Sequence, residues 1–137
     1  MTRQAISTGG APAALAAYSQ AIRSGDMVFC AGQLGIDPTS GEFVEGGIEA
    51  QTERALKNLT AVLDAAGLSF DDVVKTTCFL ADINDFAAFN GVYVRYMPDP
   101  PPARSTFQVG ALPLGGLVEI EAIARRAQVD AVSRQRA

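Results

Sequence analysis

The sequence contains no histidine, and only two of its 137 residues are cysteines. Without histidine the chain has no Ser-His-Asp triad, no Cys-His nucleophile and no imidazole ligand for a metal. Cys30 and Cys78 stand 48 positions apart with no CxxC pair, so we expect buried free thiols and neither a disulfide framework nor a zinc site. Acid–base chemistry must then come from carboxylates, tyrosine, lysine, cysteine, backbone groups or water.

Long apolar runs and an excess of basic residues are also missing. No run approaches membrane-spanning length and the N-terminus has no apolar signal region, so a cytoplasmic protein is the expectation. Eleven basic against fifteen acidic residues give a net charge of −4, which disfavours a nucleic-acid or acidic-membrane surface. The length fits one domain, which we place at residues 1–126, followed by a polar tail at 127–137.

The hydrophobic pattern predicts an α+β domain. Apolar residues alternate in strand-like segments and recur every three or four positions in two helical ones. Strands are predicted at 18–22, 27–31, 42–44, 73–80, 103–106 and 118–121, and helices at 48–66 and from Asp82 or Asn84 to 97. This order favours a mixed β-sheet with both helices packed on one face. The other face would be only partly polar, and a second copy of the chain is expected to cover it.

The segment 99–124 carries the chemistry that stands out. Three prolines, 100–102, stiffen the approach to Arg104, and a turn at 114–116 precedes a run in which Glu119 and Glu121 alternate with aliphatic residues. If these runs pair as a hairpin, the guanidinium of Arg104 and a glutamate carboxylate could share one sheet face. Such an arrangement would form a binding site for a small anion beside an acid–base group. The alternative for Arg104 is a salt-bridged surface or interface arginine, with Glu119 as one possible partner, and the two glutamates compete for the acid–base role.

Five segments together resemble the RidA (YjgF) family. They are AYSQAI, FCAGQLGIDPTSGE, the block from NL to VLDAAGLSFDDVVKTTCFLADINDFAAFN, PPARSTFQV and VEIEAIA, and they run in the family's order over residues 18–125. The resemblance implies a chorismate-mutase-like α+β fold, assembled as a homotrimer with ligand clefts between subunits. It also implies hydrolysis of reactive enamines and imines to ketones and ammonia, with no metal or organic cofactor.

The resemblance also implies roles for particular residues. Arg104 matches the carboxylate-binding arginine, Glu119 the glutamate near the reacting water, and Tyr18 the site tyrosine. A tyrosine in this weakly patterned segment is otherwise a packing residue with its hydroxyl satisfied. For the acid–base role, the resemblance favours Glu119 over Glu121.

Four further residues match the binding part of the family's site. Gly32 matches a glycine whose backbone lines the pocket, and Asn90 matches a helix-borne asparagine. Without the resemblance, Gly32 would be needed only for its backbone freedom, and Asn90 would be an exposed helix residue. Ala31 stands where the deaminase branch often has serine, and Thr106 where it often has cysteine. Backbone groups near Ala31 and the hydroxyl or N–H of Thr106 are the expected contacts.

The functional expectation is therefore a hydrolase for a C=N group next to a carboxylate, such as a 2-imino acid or an aminomuconate-like dienamine. Arg104 would clamp the carboxylate, and Glu119 would orient the attacking water. The alternative is a non-catalytic protein that binds a keto or hydroxy acid in the same cleft, an alternative that Ala31 and Thr106 keep open. A nuclease or translation-inhibiting role, assigned to some relatives, is disfavoured by the net charge of −4.

Overall fold

The computed structural model describes residues 2–127, which form a six-stranded mixed sheet and two α-helices. The elements are β1 (Gln4–Ile6), β2 (Ala21–Ser24), β3 (Met27–Leu34), α1 (Gly47–Ala65), β4 (Val73–Leu80), α2 (Phe86–Tyr93), β5 (Ala103–Gln108) and β6 (Val118–Arg125). The strand order is β1-β2-β3-β6-β4-β5, and only β4 and β5 are parallel. The predicted α+β class and mixed sheet are confirmed.

The core lies between the helices and one face of the sheet. The apolar stripe of α1 is fully buried at Leu56, Leu59 and Leu63, and it faces equally buried residues of β6 such as Val118 and Ile120. Alternate residues of β6 point away from the helices and are only half-buried. The predicted packing of both helices on one face is therefore confirmed.

The first helix was predicted accurately because its end is marked in the sequence. Gly67 adopts a left-handed conformation at φ 76° just after the helix, and its N–H donates to the carbonyl of Asp64. A residue with a side chain is disfavoured there, which is why glycine is common at this position.

The second helix is shorter than predicted. Asp82 accepts a hydrogen bond from the N–H of Asn84 at 2.9 Å and caps a short 3₁₀ turn that precedes α2. At the other end Arg95 and Tyr96 donate to carbonyls only three residues back, so the last turn tightens and the α-helix stops at Tyr93. Pro98 prevents the helix from continuing beyond this turn, because proline disfavours helical backbone at the residue before it.

The predicted hairpin of residues 103–121 is wrong. Strand β4 lies between β5 and β6, and β5 runs parallel to β4 after the α2 crossover. The connection after β5 wraps around the end of β4: the N–H of Val109 donates to Leu80, and the N–H of Ala81 donates to Leu117. The hairpin was predicted because the two strands are consecutive in the sequence. Instead, β4, α2 and β5 form a strand–helix–strand unit in which β5 pairs with β4.

Smaller differences concern the edges of the chain. The predicted strand at 42–44 is reduced to one bridge between Ile36 and Phe43, and strand β1 lies before the first predicted strand. The strands predicted at 18–22 and 27–31 correspond to β2 and β3, which pair as an antiparallel hairpin, and the two buried free cysteines are confirmed. The prediction for the tail falls on residues 128–137, outside the described residues. Within residues 2–127, no helix has the length and apolar character to cross a membrane.

Candidate functional site

Arg104 and Glu119 lie on opposite faces of the sheet. Arg104 pairs with Thr76, which pairs in turn with the buried Ala122 of β6, so the arginine is on the helix-covered face. Glu119 pairs with Phe79 and is three residues from Ala122, so it is on the other face. The expectation that the guanidinium and the carboxylate share one face is wrong, because the hairpin that required it does not form.

Arg104 is held among aromatic rings and one amide. Its Cζ atom lies 4.7 Å from the ring centre of Tyr93, 5.3 Å from that of Phe86 and 5.8 Å from that of Phe89. Its Nη1 donates to Oδ1 of Asn90 at 2.8 Å. All four partners belong to α2, and the one amide among them is that of Asn90, another of the predicted site residues. Aromatic faces attract a cation without neutralising it.

The salt-bridge interpretation of Arg104 is not supported. Within residues 2–127 the guanidinium forms no ion pair, whereas the exposed Arg95 pairs with Glu53 at 3.3 Å. Arg104 instead opens onto a cavity of about 540 Å³, here called the arginine cavity. Its lining residues are Asn90, Tyr93, Val94, Met97, Pro98, Pro101, Pro102 and Arg104. An uncompensated cation in a cavity is suited to an anionic ligand.

Tyr93 connects the arginine to the core. Its hydroxyl and that of Thr76 are 2.6 Å apart in a buried hydrogen bond, and its ring lies under the guanidinium. Burial raises the pKa of the Tyr93 hydroxyl, so it stays protonated at neutral pH. In the sequence Tyr93 is an apolar position of the second predicted helix, and its spacing does not indicate a contact with Arg104.

Four more of the predicted residues meet at a second cavity on the far side of the sheet. This cavity has a volume of about 700 Å³ and is here called the glutamate cavity. Tyr18, Ala31, Gly32 and Glu119 all line it. Gly32 packs directly under the carboxylate, since a Cβ atom there would lie 2.6 Å from Oε1 of Glu119. A side chain at position 32 would therefore displace Glu119, so glycine is required here for space and not only for its backbone freedom.

Glu119 is distinguished from Glu121 by its surroundings. Glu119 lines the cavity and Glu121 does not. Partial burial raises the pKa of the Glu119 carboxyl, and the nearby negative charge of Glu121 raises it further. A carboxyl with a raised pKa is a better proton acceptor than an ordinary glutamate at neutral pH.

Buried polar side chains fix the walls of the glutamate cavity. Asn58 is fully buried and donates to the carbonyls of Leu34 and Ile36 at 3.1 and 2.9 Å. Gln20 is buried too, and it accepts from the N–H of Thr8 and donates to the carbonyl of Pro12, beside the cavity. The sequence analysis missed both residues. A polar residue within an apolar stripe, as Asn58 is in α1, was the available signal.

Thr106 is the predicted site residue that joins neither group. Its Oγ1 is buried without a hydrogen-bond partner among the described residues, and it lines neither the arginine cavity nor the glutamate cavity. It pairs with the buried Cys78 of β4. Burial raises the pKa of the Cys78 thiol to about 11, so the thiol is protonated at neutral pH and is a weak nucleophile.

The fold is thus a two-layer α+β domain with an open cation on one sheet face and a carboxylate on the other. Comparison with known proteins assigns it more closely. A family model described as endoribonuclease L-PSP matches residues 8–126. The chain is 52% identical over 122 residues to the 2-iminobutanoate/2-iminopropanoate deaminase of Rattus norvegicus, covering 89% of each chain. It is 51% identical over 122 residues to the chloroplastic Reactive Intermediate Deaminase A of Arabidopsis thaliana, covering 89% of this chain and 65% of that longer protein.

A solved structure agrees with these relatives. The crystal structure of RidA from an Antarctic Psychrobacter bacterium superimposes with a TM-score of 0.86 at 48% identity, covering 89% of this chain and 98% of that one. The chain therefore belongs to the endoribonuclease L-PSP family, within its RidA proteins.

Proposed function

We propose that this protein hydrolyses imines and enamines next to a carboxylate, giving the keto compound and ammonia, in a cleft formed by two copies of the chain. Two relatives about half identical in sequence are named as a reactive intermediate deaminase and as a 2-iminobutanoate/2-iminopropanoate deaminase. The observation that carries the composite cleft is the separation of Arg104 and Glu119 by the sheet itself. A substrate small enough to be an imino acid meets both groups only if they come from different copies.

The sheet face opposite the helices is suited to such an assembly. Phe29 and Phe107 are 46% and 45% exposed there, and Phe79 stacks edge-on against Phe107 with ring centres 5.3 Å apart. Exposed aromatic clusters of this kind are typical of protein interfaces. We propose a homotrimer in which this face is buried and the arginine cavity of one copy meets the glutamate cavity of the next.

Arg104 is the proposed carboxylate clamp. A planar guanidinium can donate two parallel hydrogen bonds to a carboxylate, which fixes both the position and the plane of the ligand. Asn90 occupies one nitrogen of Arg104, and Tyr93, Phe86 and Phe89 restrict the rest of the group. The clamp is therefore oriented before the substrate arrives, which lowers the entropy lost on binding.

Glu119 is the proposed proton acceptor for water. As the water oxygen bonds to the imine carbon, one water proton passes to Glu119, the C=N electron pair moves to the nitrogen, and Glu119 then delivers that proton to the nitrogen, which gives a neutral carbinolamine. The carbinolamine collapses: its hydroxyl proton passes to Glu119 and on to the amino nitrogen, the C=O bond forms, the C–N bond breaks, and ammonia leaves. The balance is one imine and one water consumed, one ketone and one ammonia formed. Tyr18 lines the same cavity, and we assign to its hydroxyl the role of holding this water.

The test is a coupled assay. An amino-acid oxidase generates 2-imino acids, and semicarbazide reports the imine that remains unhydrolysed. Wild type should suppress the semicarbazone signal, and Arg104→Ala should lose at least about 100-fold in kcat/KM because the charged hydrogen bonds to the substrate disappear. Arg95→Ala is the matched control, since Arg95 is exposed and pairs only with Glu53 on the helical side.

Two outcomes would contradict the proposal. Full activity of Arg104→Ala would remove the clamp, and the absence of suppression by wild type with every imine would remove the activity. If wild type also bound a 2-oxo acid in calorimetry without turning over any imine, the chain would be a carboxylate-binding protein.

A further inference from the structure

Leu114 has an unusual backbone conformation for its residue type. It lies in the 3₁₀ turn Pro113–Gly115 with φ 58° and ψ 19°, the left-handed region that glycine and asparagine favour. It is also 81% exposed. Non-glycine residues held in this region concentrate at functional sites, where the position of the side chain compensates for the strain.

The side chain lies at the glutamate cavity. Leu114 lines that cavity together with Glu119 and Tyr18, so an apolar side chain stands at the mouth of the proposed reaction site. Leu15 lines the same cavity and is 92% exposed. Leu15 and Leu114 thus form an apolar surface beside Glu119, on the part of the proposed cleft that this copy of the chain supplies.

The rest of the cavity wall is largely apolar. It includes Leu34, Ile36 and Pro38 beside the hydroxyls of Thr39 and Ser40, and its ionisable side chains are Glu119 and Tyr18, with no lysine or arginine. Its volume of about 700 Å³ is more than a two- or three-carbon imino acid fills. An acidic substrate side chain would find no cationic partner on this wall, and a methyl group would leave most of the apolar surface exposed to water.

We propose that Leu114 and Leu15 are specificity-determining residues and that the preferred substrates are 2-imino acids with a bulky apolar side chain. The inference rests on the proposed function, since it assumes that the reacting carbon lies near Glu119. The carboxylate would bind to Arg104, the C=N carbon would face Glu119, and the side chain would extend over Leu114 into the apolar wall. The predicted class comprises imines derived from leucine, methionine and phenylalanine, in preference to those from alanine and 2-aminobutanoate.

The experiment measures kcat/KM for both groups of imines in wild type, Leu114→Asn and a control. Asparagine tolerates the left-handed conformation, so Leu114→Asn removes the apolar contact while keeping the turn. Ile83→Asn is the control, because Ile83 is 45% exposed but lines neither cavity. Wild type should favour the bulky imines by roughly tenfold, and Leu114→Asn should remove most of that preference. The loss on the bulky imines should exceed the loss on the alanine-derived imine by about fivefold or more.

A wild-type preference for the small imines would overturn the inference, as would an equal loss on both groups in Leu114→Asn. A second readout separates this failure from failure of the proposed function. Calorimetric titration with 4-methyl-2-oxopentanoate and pyruvate measures the side-chain preference without turnover. If no imine is hydrolysed, the proposed function falls, and the inference about the cavity then stands only if the branched acid binds more tightly than pyruvate.

Discussion

Arg104 is positioned by neutral groups, and this is the residue-scale feature on which the site depends. Three aromatic rings and the Asn90 amide surround the guanidinium, and no carboxylate within residues 2–127 pairs with it. A carboxylate partner would have to be displaced before a substrate could bind. Rings and an amide orient the cation and leave its charge for the ligand.

Tyr93→Phe separates the two contributions of that tyrosine. The ring under Arg104 remains, but the hydroxyl that bonds to Thr76 is lost, and the buried Thr76 oxygen is left without its partner. We expect unfolding to become easier by about 1–2 kcal/mol in a urea titration, with kcat/KM changed less than about threefold. The double variant Thr76→Val/Tyr93→Phe should recover part of the stability. A large loss of activity in Tyr93→Phe would instead assign the hydroxyl to the reaction.

The raised pKa of Glu119 predicts a pH dependence. The carboxylate is the active form, so kcat/KM should fall as the pH drops through this raised pKa, with a midpoint above the ordinary glutamate value of about 4.3. Glu119→Gln should be inactive and should lose the pH profile. A profile with its midpoint at or below the ordinary value, or an active Glu119→Gln, would contradict the assignment.

The same shift has a consequence for stability. A carboxyl whose pKa is higher in the folded chain than in the unfolded one binds its proton more tightly when folded. Its stabilising contribution is present below the unfolded pKa and is lost as the pH rises through the folded pKa. Glu119→Gln should therefore melt at the same or a higher temperature than wild type at pH 7, and thermal melts at pH 4 and 7 test this sign.

At the scale of elements, α1 holds the wall of the glutamate cavity. Asn58 bonds to two carbonyls just after β3, and Gly35 packs so closely on α1 that a Cβ atom would lie 2.6 Å from the Cα of Gln51. The Gln51 side chain also accepts from the N–H of Leu117, just before β6. Helix α1 thus fixes both the end of β3, where Leu34 pairs with Glu119, and the segment just before β6.

Asn58→Ala tests this arrangement. It leaves the Leu34 and Ile36 carbonyls without their donor and opens a small void, so we expect a loss of about 2–4 kcal/mol of stability in urea unfolding. At a temperature where the variant is still folded, kcat/KM should also fall, because the cavity wall is no longer fixed. Asn84→Ala is the matched control, since Asn84 is exposed. Equal behaviour of the two variants would show that Asn58 has no such role.

The elements themselves were largely predictable from the sequence, and their arrangement was not. The period of α1, the β-branched run of β4 and the glycine at position 67 are local signals. The position of β6 between β3 and β4 depends on contacts between distant segments, which a local pattern does not encode. Arg104 and Glu119 were found by motif, but their separation by the sheet follows only from the strand order. Asn58 was marked only as a polar residue within the apolar stripe of α1, and its partners, the carbonyls of Leu34 and Ile36, are distant in the sequence.

At the scale of the whole molecule, each copy of the chain carries two unlike halves of the proposed site. The clamp lies on the helix side near α2, and the proton acceptor lies on the side where Phe29 and Phe107 are exposed. A ring of copies joined head to tail, such as the proposed trimer, would place the first half of each against the second half of the next.

The most direct test of this account mixes two inactive chains. Arg104→Ala and Glu119→Gln carry different purification tags, are co-refolded in equal amounts, and mixed assemblies are isolated by both tags. If each cleft takes Arg104 from one copy and Glu119 from its neighbour, the unfractionated mixture should recover about a quarter of wild-type kcat, because a fully intact pair forms at one junction in four. No recovered activity in isolated mixed assemblies would mean that both residues act within one chain, and the composite site would be wrong.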